Sequence, residues 1–176
     1  SVFKKIKKKY KKNKIIIFNN FKDANLTKIK FDISISAIVG IAGLQPTIFF
    51  LKLSKKMLLA NKETVICGWH ILKQVCKKNN TKVVPIDSEH FSINQLTKNY
   101  YDRDIKKIYI TASGGPFLRF PIKKFVNIKS KDAIKHPKWS MGKKISIDSS
   151  NLMNKVLEVI EAYKLFPFQK DKYEII

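Results

Sequence analysis

Short apolar runs alternating with helically spaced segments constrain this chain more than any other feature. From Ser34 to Glu63 it reads SISAIVGIAGLQPTIFFLKLSKKMLLANKE. AIVG closes a buried strand, LQPTIFFLKL has helical spacing, and KKMLLANKE reads as a second buried strand. The alternation continues through a helix TVICGWHILKQVCKK, a strand VVPI, a helix around Phe91 to Asn99 and a strand IKKIYIT. Strands separated by helices pair in parallel, because a helical crossover returns the chain to the same end of the sheet. The expected fold class is therefore α/β. In such sheets ligands meet the loops at the carboxyl ends of strands, which is where Asn61, Lys62 and Glu63 fall. Further on, ISID reads as a short strand, residues from about Ser150 to Phe166 as a long helix, and the last residues as the start of another strand. Near the N-terminus a lysine run leads into IIIF, a strand-like burst.

Composition narrows the class. With 176 residues and 44% hydrophobic content, the chain can build one ordinary core or two small ones packed together. Lys and Arg outnumber Asp and Glu by 36 to 13, a formal net charge of +23. Such a surface attracts nucleic acid or anionic lipid non-specifically. The excess is nearly all lysine and is spread over the whole chain, as an A/T-biased genome would produce, whereas nucleic-acid readers interleave arginine and aromatics on one face. Only Arg103 and Arg119 are arginine. Cys67 and Cys76 form no Cys-x-x-Cys motif and have no histidines at zinc spacing, so a reducing compartment is expected. The most apolar stretch, Ile33 to Leu53, is broken by Ser34, Ser36, Gln45, Pro46 and Thr47, which argues against a membrane span. The lysine-rich start is not followed by the apolar region and cleavage site of a signal peptide.

Several constellations can carry chemistry. VVPIDSEHFSINQ, residues 83–95, sets Asp87, Ser88, Glu89 and His90 straight after an apolar run. In extended backbone Asp87 and Glu89 point to one side, where paired oxygen donors suit a hard divalent cation; the bland reading is a solvated or helix-capping acidic pair. In SSNLMNKVLEVIEAYKLF, Leu152, Val156, Val159, Ile160 and Tyr163 make an apolar helical face. Asn154, Lys155 and Glu158 share a neighbouring face at i,i+3 and i,i+4, as a surface ion pair or as a third metal carboxylate beside hydroxyl-binding groups. Ser149 or Ser150 is expected at this helix's N-cap, where hydroxyl and free N–H groups suit a phosphate. TASGGPF puts Ser113 before two glycines, whose backbone can approach a ligand closely. Trp139 and Met141, in HPKWSMGKK, fit either a core or a lid closing over substrate.

Taken in order, the blocks AIVGIAGLQPT, LLANKE, VPIDSEH, TASGGPF, HPKWSMGKKISIDSSNLMNK and LEVIEAYKLF resemble the 1-deoxy-D-xylulose 5-phosphate reductoisomerase family. The resemblance implies the latter part of a Rossmann-like nucleotide-binding domain over residues 1–85, then an α+β catalytic domain over residues 86–176. It implies a divalent metal, manganese or magnesium with cobalt as a further option, on Asp87, Glu89 and Glu158. Lys62, Ser88, Glu89, Ser113, His136, Ser149, Asn154, Lys155 and Glu158 match substrate-binding positions, and Lys62, Glu89, His136 and Lys155 the catalytic ones. Asn61, Glu63 and Gly142 match positions near NADPH, and Trp139 and Met141 lie in what looks like the family's flap. The implied partners are a sugar phosphate and, for the complete enzyme, a second copy of itself, with neither a specific nucleic acid nor a membrane. The implied location is the bacterial cytoplasm or a plastid-type organelle.

The match has gaps. The family's Gly-x-Thr-Gly-x-x-Gly loop has no counterpart, since the glycines begin at Gly40, and the chain stops short of the family's His-Pro-Gln-Ser segment and helical last domain. Val156 stands where the family pattern has glycine, inside the helix that carries Lys155 and Glu158, and its extra volume beside a ligand is expected to crowd the site. The rival expectation is a non-catalytic basic remnant or nucleic-acid-binding protein, which would hold any duplex in a salt-sensitive, metal-independent way.

Overall fold

The structure is a computed structural model that describes residues 1–22, 26–27, 29–134 and 143–176. His136, Trp139, Met141 and Gly142 lie outside the described residues. The elements in chain order are α1 (Val2–Lys9), β1 (Phe31–Ser36), α2 (Leu44–Leu51), β2 (Ser54–Leu59), α3 (Lys62–Asn79), β3 (Lys82–Pro85), α4 (Ser88–Leu96), β4 (Ile108–Ile110), α5 (Ser130–Ala133), α6 (Lys143–Ser150), α7 (Met153–Leu165) and β5 (Tyr173–Ile175).

Two parallel sheets result. In the first, β2 is central, pairing with β1 through Ile33↔Lys56 and Ile35↔Leu58 and with β3 through Met57↔Val83. Helices α2 and α3 cover one face of it and enclose a core of Leu51, Met57 and Leu72, flanked by Ile48, Trp69 and Val75. The second sheet pairs β4 with β5, and its core of Ile93, Ile108, Ile110, Ala162, Phe166, Phe168 and Tyr173 joins α4 to α7. Parallel pairing in both sheets agrees with the α/β expectation, as does the separation of paired strands by helices.

Local chemistry explains several departures from the sequence reading. Strand β1 turns its serines inward, not its isoleucines. Ser36 Oγ lies 2.6 Å from Thr47 Oγ1 and Ser34 Oγ 2.6 Å from Ser54 Oγ, while Ile33 and Ile35 are 54% and 66% exposed. The strand also ends at Ser36, so AIVG is an exposed loop rather than a buried strand end, turning at Gly40 with φ 76°. ISID is helical, inside α6: Ser146 is buried and Ile147 exposed, the reverse of what a strand with inward isoleucines needs. Helix α4 begins at Ser88, three residues before the expected start, because Asp87 caps it. Helix α7 starts at Met153, and Ser149 and Ser150 close α6, so the N-cap of α7 is Leu152, held at φ 61°. IIIF forms no strand, and α1 has no buried residue. Among the described residues no helix is long and apolar enough to cross a membrane.

Candidate active site

Helix α7 turns its charged side inward. Its buried residues are Lys155, Glu158, Glu161 and Ala162, one stripe at i,i+3,i+6,i+7, whereas Leu152 and Val156 of the expected apolar face are exposed. Val159 and Tyr163 are partly buried against the second core. Val156 is 44% exposed and lies outside the buried stripe. Burying three ionisable side chains on one helix is costly unless each is paired, and here each meets partners from elsewhere in the chain.

Lys155 is the hub. Its Nζ donates to Glu158 Oε2 at 2.7 Å and to Glu89 Oε1 at 2.6 Å, tying α7 to α4. On the other oxygen of Glu158, Lys62 Nζ donates at 2.9 Å and Asn154 Nδ2 at 2.5 Å, and Lys62 also reaches Asn154 Oδ1 at 2.8 Å. Ser88 Oγ donates to Glu89 Oε2 at 2.6 Å. Lys62, Ser88, Glu89, Asn154, Lys155 and Glu158 thus form one continuous cluster drawn from three distant segments. Burial alone would raise the Glu89 pKa, but the hydrogen bonds from Lys155 and Ser88 outweigh it and hold the group at about 2. Burial likewise works against the charged Lys155, and its bonds to Glu158 and Glu89 raise its pKa overall.

Asp87 and Glu89 do not lie side by side on extended backbone. Asp87 is the N-cap of α4, its Oδ1 accepting from His90 N at 2.9 Å, while Glu89 lies in the first turn. Asp87 joins the site through His90, whose Nδ1 is 2.7 Å from both Asp87 carboxylate oxygens and whose Nε2 is 2.9 Å from the Glu158 carbonyl oxygen. Both ring nitrogens face oxygen acceptors, which calls for a donor on each. Burial disfavours the charged ring, yet the Asp87 hydrogen bond and the nearby Glu161 raise the His90 pKa. Glu161 Oε2 lies 3.4 Å from His90 Nδ1, and burial raises its pKa to about 8 despite that neighbour.

The donors fit a hard divalent cation. Glu89 Oε1 and Glu158 Oε2 already converge on one tethered cation, the Lys155 ammonium, and carboxylate oxygens are the ligands magnesium and manganese prefer. Among the described residues, the ligand-type side chains whose donor atoms gather within 4.8 Å are Asp87, His90 and Glu161. Asp87, Glu89 and Glu158 are joined through His90 and Lys155 rather than drawn to a point. Sequence reasoning assigned His90 and Glu161 no role, although Glu161 follows Glu158 by three residues, the same spacing that exposed Lys155.

The remaining candidates sit around this cluster. Gly115, at φ 64°, passes so close to the end of α6 that a Cβ there would lie 2.5 Å from Ser149 O, and this contact brings the turn containing Ser113 against Ser149. At the carboxyl ends of β1 and β2, a small cavity of about 60 Å³ is walled by Val39, Asn61, Lys62, Glu63, Asp148 and Asn154. Asn61 is spent on the fold: its Oδ1 accepts from Thr64 N at 2.7 Å, and its Nδ2 donates to Gly40 O at 2.8 Å and to Ile38 O. Its position next to Lys62 nonetheless puts the first turn of α3 at the cavity. Ser88 and Glu89 also border a wider groove of about 910 Å³ between α4 and β4, lined by Ile93, Tyr100, Ile108 and Ile110.

Comparisons with known proteins point to one enzyme family. The family model for 1-deoxy-D-xylulose 5-phosphate reductoisomerase matches residues 1–68, and that for the C-terminal domain of the same enzyme matches residues 83–166. The reductoisomerase of Pelagibacter ubique is 52% identical over 169 residues, 94% of this chain and 44% of its own length. That of a Wolbachia from Drosophila simulans is 46% identical over 153 residues, 86% of this chain and 39% of its own length. The chain therefore spans less than half the length of these relatives. A crystal structure of DOX-P reductoisomerase in complex with NADPH, fosmidomycin and magnesium superposes with TM-score 0.79 at 35% identity, covering 98% of this chain and 46% of the other. The Zymomonas mobilis enzyme in complex with NADPH gives TM-score 0.68 at 37% identity over 82% of this chain and 37% of that one. With the two family models together matching most of its residues, the chain belongs to the 1-deoxy-D-xylulose 5-phosphate reductoisomerase family.

Proposed function

We propose that this chain carries the metal- and substrate-binding part of an NADPH-dependent reductoisomerase, which converts 1-deoxy-D-xylulose 5-phosphate to 2-C-methyl-D-erythritol 4-phosphate by skeletal rearrangement followed by hydride reduction. The observation that carries this reading is the inverted helix α7. A helix that buries Lys155, Glu158 and Glu161 is stabilising a polar site at the expense of ordinary core packing.

Asp87, Glu89 and Glu158 would hold the divalent ion, which supplies charge stabilisation to substrate oxygens. Lys62 and Lys155, held by Glu158 and Glu89, keep two ammonium groups fixed where an anionic substrate would lie, at no further cost of ordering. Asn154 and Ser88 supply neutral groups for hydroxyls, and Ser113 and Ser149 flank the tight turn at Gly115, where backbone can approach a phosphate. The same reading puts NADPH at the sheet end, near the cavity beside Asn61, Lys62 and Glu63. The same family reading supports a homodimer in the bacterial cytoplasm, or in a plastid-type organelle.

The test is a thermal-unfolding scan with and without manganese or magnesium, on the parent and on Asp87→Asn. Ion-dependent stabilisation of the parent, lost in the variant, is the expected result, since a ligand of the folded state raises its melting temperature. An equal shift in both removes Asp87 from the metal set.

A further inference from the structure

We propose that His90 is a positioning residue of the metal site, a brace that fixes the Asp87 carboxylate relative to the backbone of Glu158. The inference rests on the metal reading above and assigns a role to a side chain outside the ligand set.

The geometry is specific. His90 is fully buried, and its ring spans the two helices that deliver the candidate ligands. On one side it meets both oxygens of Asp87 at 2.7 Å. On the other it meets the carbonyl oxygen of Glu158 at 2.9 Å, across 68 residues of chain. The Asp87 carboxylate is therefore held twice by one residue, by the backbone N–H of His90 at 2.9 Å and by its ring. Phe166 stacks on the imidazole with centroids 6.2 Å apart and planes 12° from parallel, which sets the plane of the ring. Behind it sits Glu161, 1% exposed, whose Oε2 has no hydrogen-bond partner and lies 3.4 Å from His90 Nδ1. That side chain backs the ring on its Nδ1 side, away from the Glu158 carbonyl.

Asp87 also meets the Glu161 side chain of α7, and His90 adds a second link, from the Asp87 carboxylate to the α7 backbone. Glu89 is tied through Lys155, and the Glu158 side chain through Lys62, Asn154 and Lys155, so His90 completes the frame for the third carboxylate. Groups that hydrogen-bond metal ligands typically cost 10–100-fold in metal affinity when removed. A buried histidine that served packing alone would lower stability and leave ion affinity unchanged.

Manganese binding to the 176-residue chain, measured by electron paramagnetic resonance of free Mn²⁺, separates these roles in the parent, His90→Gln and His90→Phe. Gln keeps a single donating group and Phe keeps the ring stack without donors. Both variants should bind manganese about 10–100-fold more weakly than a parent that binds it. Parent-like affinity in a cooperatively folded variant overturns the proposal. A parent that binds no manganese overturns the metal reading itself, and this proposal with it. Should neither variant fold, the ring nitrogens of His90 are followed by NMR in the parent during titration with diamagnetic Mg²⁺. Shifts that saturate with binding support the brace, and saturation without any shift at His90 refutes it.

Discussion

Replacing Lys155 with methionine tests the charge balance of the cluster most directly. Methionine keeps much of the stem's packing and removes the ammonium alone. The Lys155 side chain is 10% exposed and that of Glu158 3%, so the lost charge is a buried one, and stripping one partner from a buried pair costs about 3–5 kcal/mol. Two features place the outcome near the lower end. Glu158 retains Lys62 at 2.9 Å and Asn154 at 2.5 Å, and Glu89 retains Ser88 at 2.6 Å. A loss of about 3 kcal/mol corresponds to a melting temperature lower by about 6–12 °C for a chain of this size. Glu89 is the second readout. Its pKa of about 2 lies below the ordinary 4.5, so its stabilisation is present above 4.5 and lost as the pH falls toward 2. In Lys155→Met that acid-side loss should shrink. Magnesium should also stabilise the variant more than the parent, because the ion neutralises the carboxylates the lysine has left. A penalty below about 1 kcal/mol at neutral pH would mean the pair behaves as a screened surface bridge, and the argument for a buried, charge-balanced site would fail.

Gly115→Ala combines a φ of 64° with a Cβ 2.5 Å from Ser149 O, so it should cost at least about 2 kcal/mol in a denaturant titration and weaken phosphate-bearing ligands. Asn61→Ala removes the cap of α3 and the donors to Ile38 and Gly40, and a loss of about 2–3 kcal/mol is expected from the denaturant midpoint. Glu161 has its folded pKa raised from 4.5 to about 8, so its contribution is full below pH 4.5 and is lost as the pH rises through 8. Glu161→Gln should therefore flatten the fall in melting temperature between pH 5 and 8, and an unchanged slope would contradict the assignment.

Periodicity made the first sheet legible because β2, α3 and β3 each satisfy one pattern over their whole length. It could not supply phase. In FDISIS the alternation is plain, but hydroxyl pairs with Thr47 and Ser54 turn the serines inward, a choice made by partners elsewhere in the chain. The same blindness affected α7, where the apolar residues advertised a face and the buried stripe proved to be the charged one. ISID has isoleucines at strand spacing, yet Ser146 is buried and Ile147 exposed, and α6 forms instead. Of the site, Asn154, Lys155 and Glu158 were visible as neighbours within one helix. His90 was not, because its partner oxygen on Glu158 lies on another element and only folding brings the two together.

The side chain of Asn61 also bears on how this chain can change over time. A methyl group on Gly43 would fall 2.4 Å from Asn61 Nδ2 and 2.6 Å from Ile38 O, so the amide occupies the space that any larger residue at 43 would need. Position 43 is closed from two sides, by the Asn61 amide and by the Ile38 carbonyl, and shortening Asn61 uncaps the helix that presents Lys62. Single substitutions at either site lead downhill in stability, and even a paired change would leave the new Cβ against the Ile38 carbonyl, which only a backbone shift could relieve. In a lysine- and isoleucine-rich sequence free to drift over much of its surface, this corner is where a mutational path runs out first.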